Sequence, residues 1–97
     1  MFYKVYVLRL EDNKWYIGYT KDVGVRFDEH VSGPRGSAWT RKYKPLMVEE
    51  VIETPCTTDR GASQYENMVT LQYALKYGED NVRGGRYVNI KYPNYPK

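Results

Sequence analysis

At 97 residues the chain has room for one small domain, which excludes a second catalytic domain. Lys plus Arg number 15 against 12 for Asp plus Glu, and the net charge of +3 permits an anionic partner without requiring one. A hydrophobic fraction of 41% predicts a packed core, the lack of a long apolar run predicts no membrane span, and one cysteine with one histidine excludes both a disulfide framework and a closed zinc site.

Met1 to Leu10 carries Lys4 and Arg9 among alternating apolar residues and lacks the apolar core and cleavage site of a signal peptide, so an intracellular location, cytoplasm or nucleus, is expected. Within Phe2 to Leu10, Tyr3, Val5 and Val7 alternate with Phe2, Tyr6 and Leu8, the pattern of a central strand covered on both faces. Glu11-Asp12-Asn13 is turn chemistry. Lys14 to Thr20 returns as a second β-rich run, with Trp15, Ile17 and Tyr19 opposite Tyr16 and Gly18, and completes a hairpin.

Thr20 or Asp22 caps a helix that ends near Ser32-Gly33-Pro34. Val23, Phe27 and Val31, four residues apart, form its expected core stripe, and Arg26 and His30 share its flank. Pro34 to Lys44 reads as a loop in which Arg35, Arg41, Lys42 and Lys44 surround Trp39 and Tyr43 with no acid among them. Leu46 to Ile52 is a third strand. Thr54-Pro55 breaks it before a second helix, which Thr57, Thr58 or Asp59 caps and Gly78 closes. On that helix Ala62, Val69 and Tyr73 share a face with Tyr65 and Met68 beside them, and Glu66 falls about 40° from Ala62, so a carboxylate borders the buried stripe.

Residues 79 to 97 read as an irregular C-terminal extension with one short strand at Tyr87 to Ile90. The order strand, strand, helix, strand, helix predicts a single α+β domain with a small, mostly antiparallel three-stranded sheet flanked by helices, its motif-bearing core spanning about residues 3 to 78.

Lys4-Val5-Tyr6, then Tyr16-Ile17-Gly18, then Arg26, His30 and Glu66 together resemble the GIY-YIG nuclease superfamily. Tyr16-Ile17-Gly18-Tyr19-Thr20-Lys21-Asp22 followed by Arg26-x-x-x-His30 is similar to the family's second motif and first helix. Gly36-x-Ala38-x-Thr40 leading to Pro45, and Ala62-x-x-x-Glu66, resemble its small-domain and structure-specific branches. Each piece alone is weak and the ordered set is much stronger. Lys4 stands where the family has a glycine, while Tyr6 keeps the first motif's tyrosine.

The resemblance implies phosphodiester hydrolysis of DNA with one divalent cation, Mg²⁺ or Mn²⁺, held by Glu66 as a hard oxygen ligand. It implies that Tyr6 and Tyr16 orient or deprotonate the attacking water, with either phenol open as the base. A phenol of ordinary pKa, ~10, is a poor base at neutral pH unless cations lower it, a role within reach of Arg26, His30 and the metal. The planar, permanently charged fork of Arg26 suits transition-state charge, and His30, one helical turn away, is placed to assist the proton transfer or to contact the phosphate.

Blander readings stand beside each assignment. Tyr6 and Tyr16 also suit sheet-face packing, Arg26 and His30 a solvated helix face with His30 paired to Asp28 or Glu29, and Glu66 a helix-surface acid. Asp28-Glu29 does not make a glycosidase pair, because adjacent helix residues diverge by about 100°. Nothing motif-like surrounds Cys56 to make it a nucleophile.

The expected DNA contacts are Arg35, Trp39, Thr40, Arg41, Lys42 and Lys44, with Trp39 and Tyr43 stacking on unpaired bases, and Arg83 and Arg86 around Gly84-Gly85. Two functions follow. One is a metal-dependent DNA endonuclease, structure-selective or weakly sequence-specific, acting alone or beside a protein partner that supplies target specificity. The other is a nucleic-acid-binding module that retains the fold without turnover.

Overall fold

The structure is a computed structural model that describes residues 1–32, 36–89, 91 and 94–96. Strand β1 (Lys4–Leu10) and strand β2 (Lys14–Thr20) form the expected hairpin. Its connection is tight because Asp12 (φ 60°) and Asn13 (φ 57°) both take left-handed backbone, which their short polar side chains tolerate. That turn fixes the register, so Tyr6 faces Gly18 and Leu8 faces Tyr16. Helix α1 (Val23–Ser32) follows, with the Asp22 carboxylate accepting the Val25 backbone N–H at 3.1 Å. A short helix α2 (Ala38–Lys42), strand β3 (Pro45–Glu53), helix α3 (Asp59–Tyr77) and strand β4 (Val82–Gly84) complete the order. The Thr58 side chain caps α3 through the Gly61 N–H, and Gly78 (φ 96°) ends it.

The sheet departs from expectation. It has four strands in the order β3-β1-β2-β4 and is mixed, since β4 runs parallel to β2 while the other pairs are antiparallel. The fourth strand lies inside the run read as irregular, and the short strand expected at Tyr87 to Ile90 is only a bridge from Tyr87 to Gly84, with Ile90 outside the described residues. Glycine content hid it, because a strand pattern is not read through Gly84-Gly85. A β-carbon on Gly84 would stand 2.5 Å from the Ile17 carbonyl oxygen and 2.8 Å from Thr70 Oγ1, so glycine is what lets β4 close against β2 and α3.

Both sheet faces are covered, as the alternation predicts. Val5, Val7, Trp15, Ile17 and Val82 pack against Val69 and Ala74 of α3, and the stacked rings of Tyr87 and Tyr95 extend this core. Tyr6, Leu8, Leu10 and Tyr16 pack on the other face against Trp39 of α2, with Val23 and Phe27 of α1 at the margin. Two details of the helices change. Val31 is 57% exposed and the buried residue of α1 is His30, because the helix turns its polar flank toward the tyrosines of the sheet. On α3 Met68 is exposed, whereas Glu66 is itself buried rather than bordering the stripe. Among the described residues no helix is long and apolar enough to cross a membrane.

Replacing Gly84 by Ala is expected to cost about 1–3 kcal/mol, since the crowding atoms include rigid backbone. A urea-unfolding midpoint equal to that of the wild type would show that β4 does not pack so closely.

Candidate active site

Gly18 is where the site begins. A β-carbon there would collide with the Tyr6 phenol, so the missing side chain lets the Tyr6 ring lie across β2. The Tyr6 hydroxyl meets His30 Nε2 at 2.9 Å, and His30 Nδ1 meets Thr40 Oγ1 at 3.0 Å. Arg26, one turn before His30 on α1, lies close enough to Tyr6 for its charge to act on the phenol and forms an ion pair with Glu29 at 3.4 Å. Tyr16 stands beside the same histidine, ring centroids 5.0 Å apart. The strands supply two phenols, α1 a guanidinium and an imidazole, and the start of α2 two hydroxyls. His30 therefore pairs with neither Asp28 nor Glu29.

Glu66 reaches the group from α3 on the opposite face of the sheet. Its charge is felt at both Tyr6 and Tyr16, and the Tyr19 backbone lies near enough to favour its ionised form. All five residues singled out from sequence thus belong to one electrostatically coupled cluster.

Burial dominates the protonation of this cluster. It raises the Tyr6 pKa well above that of an ordinary phenol, with Tyr16 adding to the shift and Arg26 opposing it. Tyr16 is pushed up to about 12 by burial and then by Glu66, again against Arg26. His30 is held down to about 4, chiefly by burial and then by the Arg26 charge, so it is neutral at physiological pH. The expectation that cations lower the phenol pKa is not met by the protein alone, because desolvation outweighs Arg26 and the neutral His30 brings no charge.

Glu66 is raised from 4.5 to about 7 by burial, which outweighs the pull of the nearby Tyr19 backbone. A carboxylate that burial leaves reluctant to ionise, and that forms no salt bridge among the described residues, is suited to a divalent cation. Among the described residues no three His, Cys, Asp or Glu cluster to hold a metal, so such an ion would take Glu66 and complete its shell with water and phosphate oxygens.

The expected DNA contacts divide by exposure. Arg41, Lys42, Lys44 and Arg86 are exposed, and Arg35 lies outside the described residues. Trp39 is 2% exposed and its indole N–H donates to the Trp15 carbonyl at 3.0 Å, so it packs the core and offers no face for stacking on a base. Thr40 is also 2% exposed and belongs to the His30 network rather than to a DNA-facing surface. Arg83 is buried over the Trp39 ring, 4.4 Å from its centroid, and donates to the carbonyls of Glu79, Val82 and Asn89, which replaces a phosphate contact with a structural one. Tyr43 is half-buried and carries the Lys14 and Lys42 ammonium groups against its ring. Reading Pro34 to Lys44 as a loop missed α2. The signal was present in Ser37-x-x-Thr40, because Ser37 is the N-cap that accepts the Thr40 N–H at 3.1 Å.

Between pH 4.5 and about 7 the metal-free folded protein holds a proton on Glu66 that the unfolded chain has released, so Glu66 contributes a loss of stability as pH rises, opposed up to pH 6.5 by His30, which is neutral in the folded protein where the unfolded chain is charged. Glu66→Gln is expected to remove the first contribution, so that its stability relative to the wild type rises with pH and, above pH 7, exceeds it by up to ~3 kcal/mol in chelator-treated urea titrations. Parallel wild-type and variant pH profiles would contradict this. Trp39→Ala is expected to cost about 3–5 kcal/mol of stability as a core truncation, and a small change confined to DNA binding would argue for an exposed ring instead.

Comparison with known proteins gives the family. The family described as the GIY-YIG catalytic domain matches residues 2–77. The chain is 33% identical over 85 residues to UPF0213 protein BH0048 of Halalkalibacterium halodurans, covering 88% of each chain. It is 33% identical over 92 residues to UPF0213 protein YazA of Bacillus subtilis, covering 92% of this chain and 90% of that one. It is 39% identical over 93 residues to UPF0213 protein FN1575 of Fusobacterium nucleatum, covering 86% and 92%. No solved structure matches. With the family match spanning the hairpin, α1 and α3, and with Tyr6, Tyr16, Arg26, His30 and Glu66 drawn into one cluster, the chain belongs to the GIY-YIG family, a nuclease family.

Proposed function

We propose that the protein is a metal-dependent DNA endonuclease that hydrolyses phosphodiester bonds by attack of water on phosphorus, with structure-selective or weakly sequence-specific cleavage. The observation that most directly supports this is the Tyr6 hydroxyl bonded to His30 Nε2, with Arg26 and Glu66 close enough to act on it electrostatically.

Tyr6 fits the water-activating role better than Tyr16, because only Tyr6 has a neutral imidazole in line to receive its proton. Water gives a proton to the Tyr6 oxygen as Tyr6 passes its own to His30 Nε2, so the phenol ends neutral and its high pKa is no obstacle. The pKa of His30, about 4, belongs to the protein without substrate, and an incoming phosphate group favours the imidazolium and draws it upward. The hydroxide oxygen bonds to phosphorus, the P–O3′ bond breaks, the 3′ oxygen takes up a proton from solvent water, and His30 returns its proton through Tyr6 to solvent. Arg26 lies beside Tyr6 to meet the growing phosphate charge. Tyr16, beside His30, positions the water or phosphate.

A divalent cation, Mg²⁺ or Mn²⁺, would be held by Glu66 and would supply Lewis-acid stabilisation of the phosphate and the leaving oxygen. Arg41, Lys42, Lys44 and Arg86 are exposed cations available to phosphates on either side. A protein partner that supplies target specificity is compatible with so small a domain.

The test is incubation of the wild type and Glu66→Ala with plasmid, branched and flapped DNA, with and without Mg²⁺ or Mn²⁺. Cleavage is expected only with metal and is expected to fall at least ~10²-fold in the variant, while salt-sensitive DNA binding persists through the exposed cations. Binding without cleavage by the wild type on every substrate would instead identify a binding module.

A further inference from the structure

The hydrogen bonds around His30 have a definite sense that follows from counting protons. Thr40 Oγ1 has one hydrogen and three acceptors within reach, the Ser37 carbonyl at 3.1 Å, the Ser37 hydroxyl at 3.2 Å and His30 Nδ1 at 3.0 Å, so Thr40 alone does not set the sense. The Tyr6 end sets it. Among the described residues the buried Tyr6 hydroxyl hydrogen-bonds His30 Nε2 at 2.9 Å, and the neighbouring Arg26 guanidinium is a donor that cannot accept its hydrogen. The Tyr6 hydrogen therefore goes to Nε2, which carries a lone pair, and the single N–H of the neutral imidazole is on Nδ1. Thr40 Oγ1 accepts that N–H and turns its own hydrogen toward Ser37.

The surrounding chain is built to hold this arrangement. His30 and Thr40 are almost wholly buried, so water does not compete for either ring nitrogen. Gly36 supplies clearance, because a β-carbon there would stand 2.9 Å from Thr40 Oγ1 and 3.2 Å from the His30 Cα. Ser37 positions Thr40 by capping α2 through the Thr40 backbone N–H.

We infer that Thr40 is a positioning residue that fixes His30 as the Nδ1–H tautomer, leaving Nε2 bare to receive the Tyr6 proton. Thr40 would touch neither DNA nor metal, and its effect on chemistry would pass entirely through the orientation and tautomer of His30. The catalytic meaning of this lock rests on the nuclease reading, whereas the tautomer itself does not.

His30 is the chain's only histidine, so a sample labelled with ¹⁵N-histidine reports one imidazole without assignment. Long-range ¹H–¹⁵N correlation spectra of the folded, DNA-free protein above pH 6 are expected to show a protonated Nδ1 and an unprotonated Nε2. Thr40→Ser keeps the acceptor and is expected to keep that pattern. Thr40→Val removes the acceptor and is expected to move the population toward Nε2–H, with cleavage falling at least ~10-fold and returning in Thr40→Ser. An Nε2–H tautomer in the wild type overturns the inference and needs no variant to fold. So does a Thr40→Val spectrum that matches the wild type. The predicted tautomer in a protein that cleaves no DNA would refute the nuclease reading and leave the inference standing.

Discussion

The active cluster depends on Tyr6 lying across Gly18. The two residues face each other in the hairpin, and the lack of a β-carbon on Gly18 lets an aromatic ring occupy space that any other residue would fill. Register alone maintains the arrangement. A slip of one residue in β1 would turn Tyr6 toward α3 and present Val5 or Val7 to α1, which exchanges the polar cluster for an apolar one. The left-handed pair Asp12 and Asn13 is therefore tied to the site through the register it sets, although it lies at the other end of the strands. Strand β4 adds to this rigidity by pairing with Trp15, Tyr16 and Ile17 and leaving the end of β2, where Gly18 and Tyr19 sit, outside its ladder.

Around that point the molecule buries polar groups in two different ways. Among the described residues no fully buried side-chain polar atom lacks a partner, and the chain from Tyr6 to Ser37 shows how this is achieved on the α1 side of the sheet. Satisfied networks of this kind rigidify, because each group is expensive to strand in a low-dielectric interior. Glu66 is the contrasting case. Its carboxylate is buried enough that ionisation is opposed, with the nearby Tyr19 backbone only partly offsetting the cost. A fold optimised for stability alone would place a neutral residue there, and the carboxylate is the kind of local cost that accompanies a functional site.

The basic surface and the aromatic interior are more separate than their interleaving in the chain implies. From Trp39 to Lys44 the residues alternate between core and solvent because α2 is a helix. Trp39 and Thr40 turn inward, while Arg41 and Lys42 stay in water. Arg83 shows the same division, since its charge is spent on backbone carbonyls and the face of Trp39. The tyrosines divide too. Tyr6 and Tyr16 join the polar cluster, Tyr43 supports two lysines, Tyr73 bonds Glu50, and Tyr87 stacks on Tyr95.

What the sequence by itself determined was local or ordered along the chain: the alternation of β1 and β2, the turn at Glu11-Asp12-Asn13, the capping stretches that hold Thr20 or Asp22 and Thr57, Thr58 or Asp59, the stop at Gly78, and the succession of Tyr6, Tyr16, Arg26, His30 and Glu66. These are legible because periodicity, capping and motif order depend on near neighbours. Only the tertiary structure decided which of those polar residues are buried and what each touches. It turned His30 inward in place of Val31, gave Thr40 to the histidine, removed Trp39 and Arg83 from the surface, and found a parallel strand in a glycine-rich run. Those outcomes rest on contacts between elements distant in sequence, where space and desolvation choose the partners, and spacing along one chain carries no record of either.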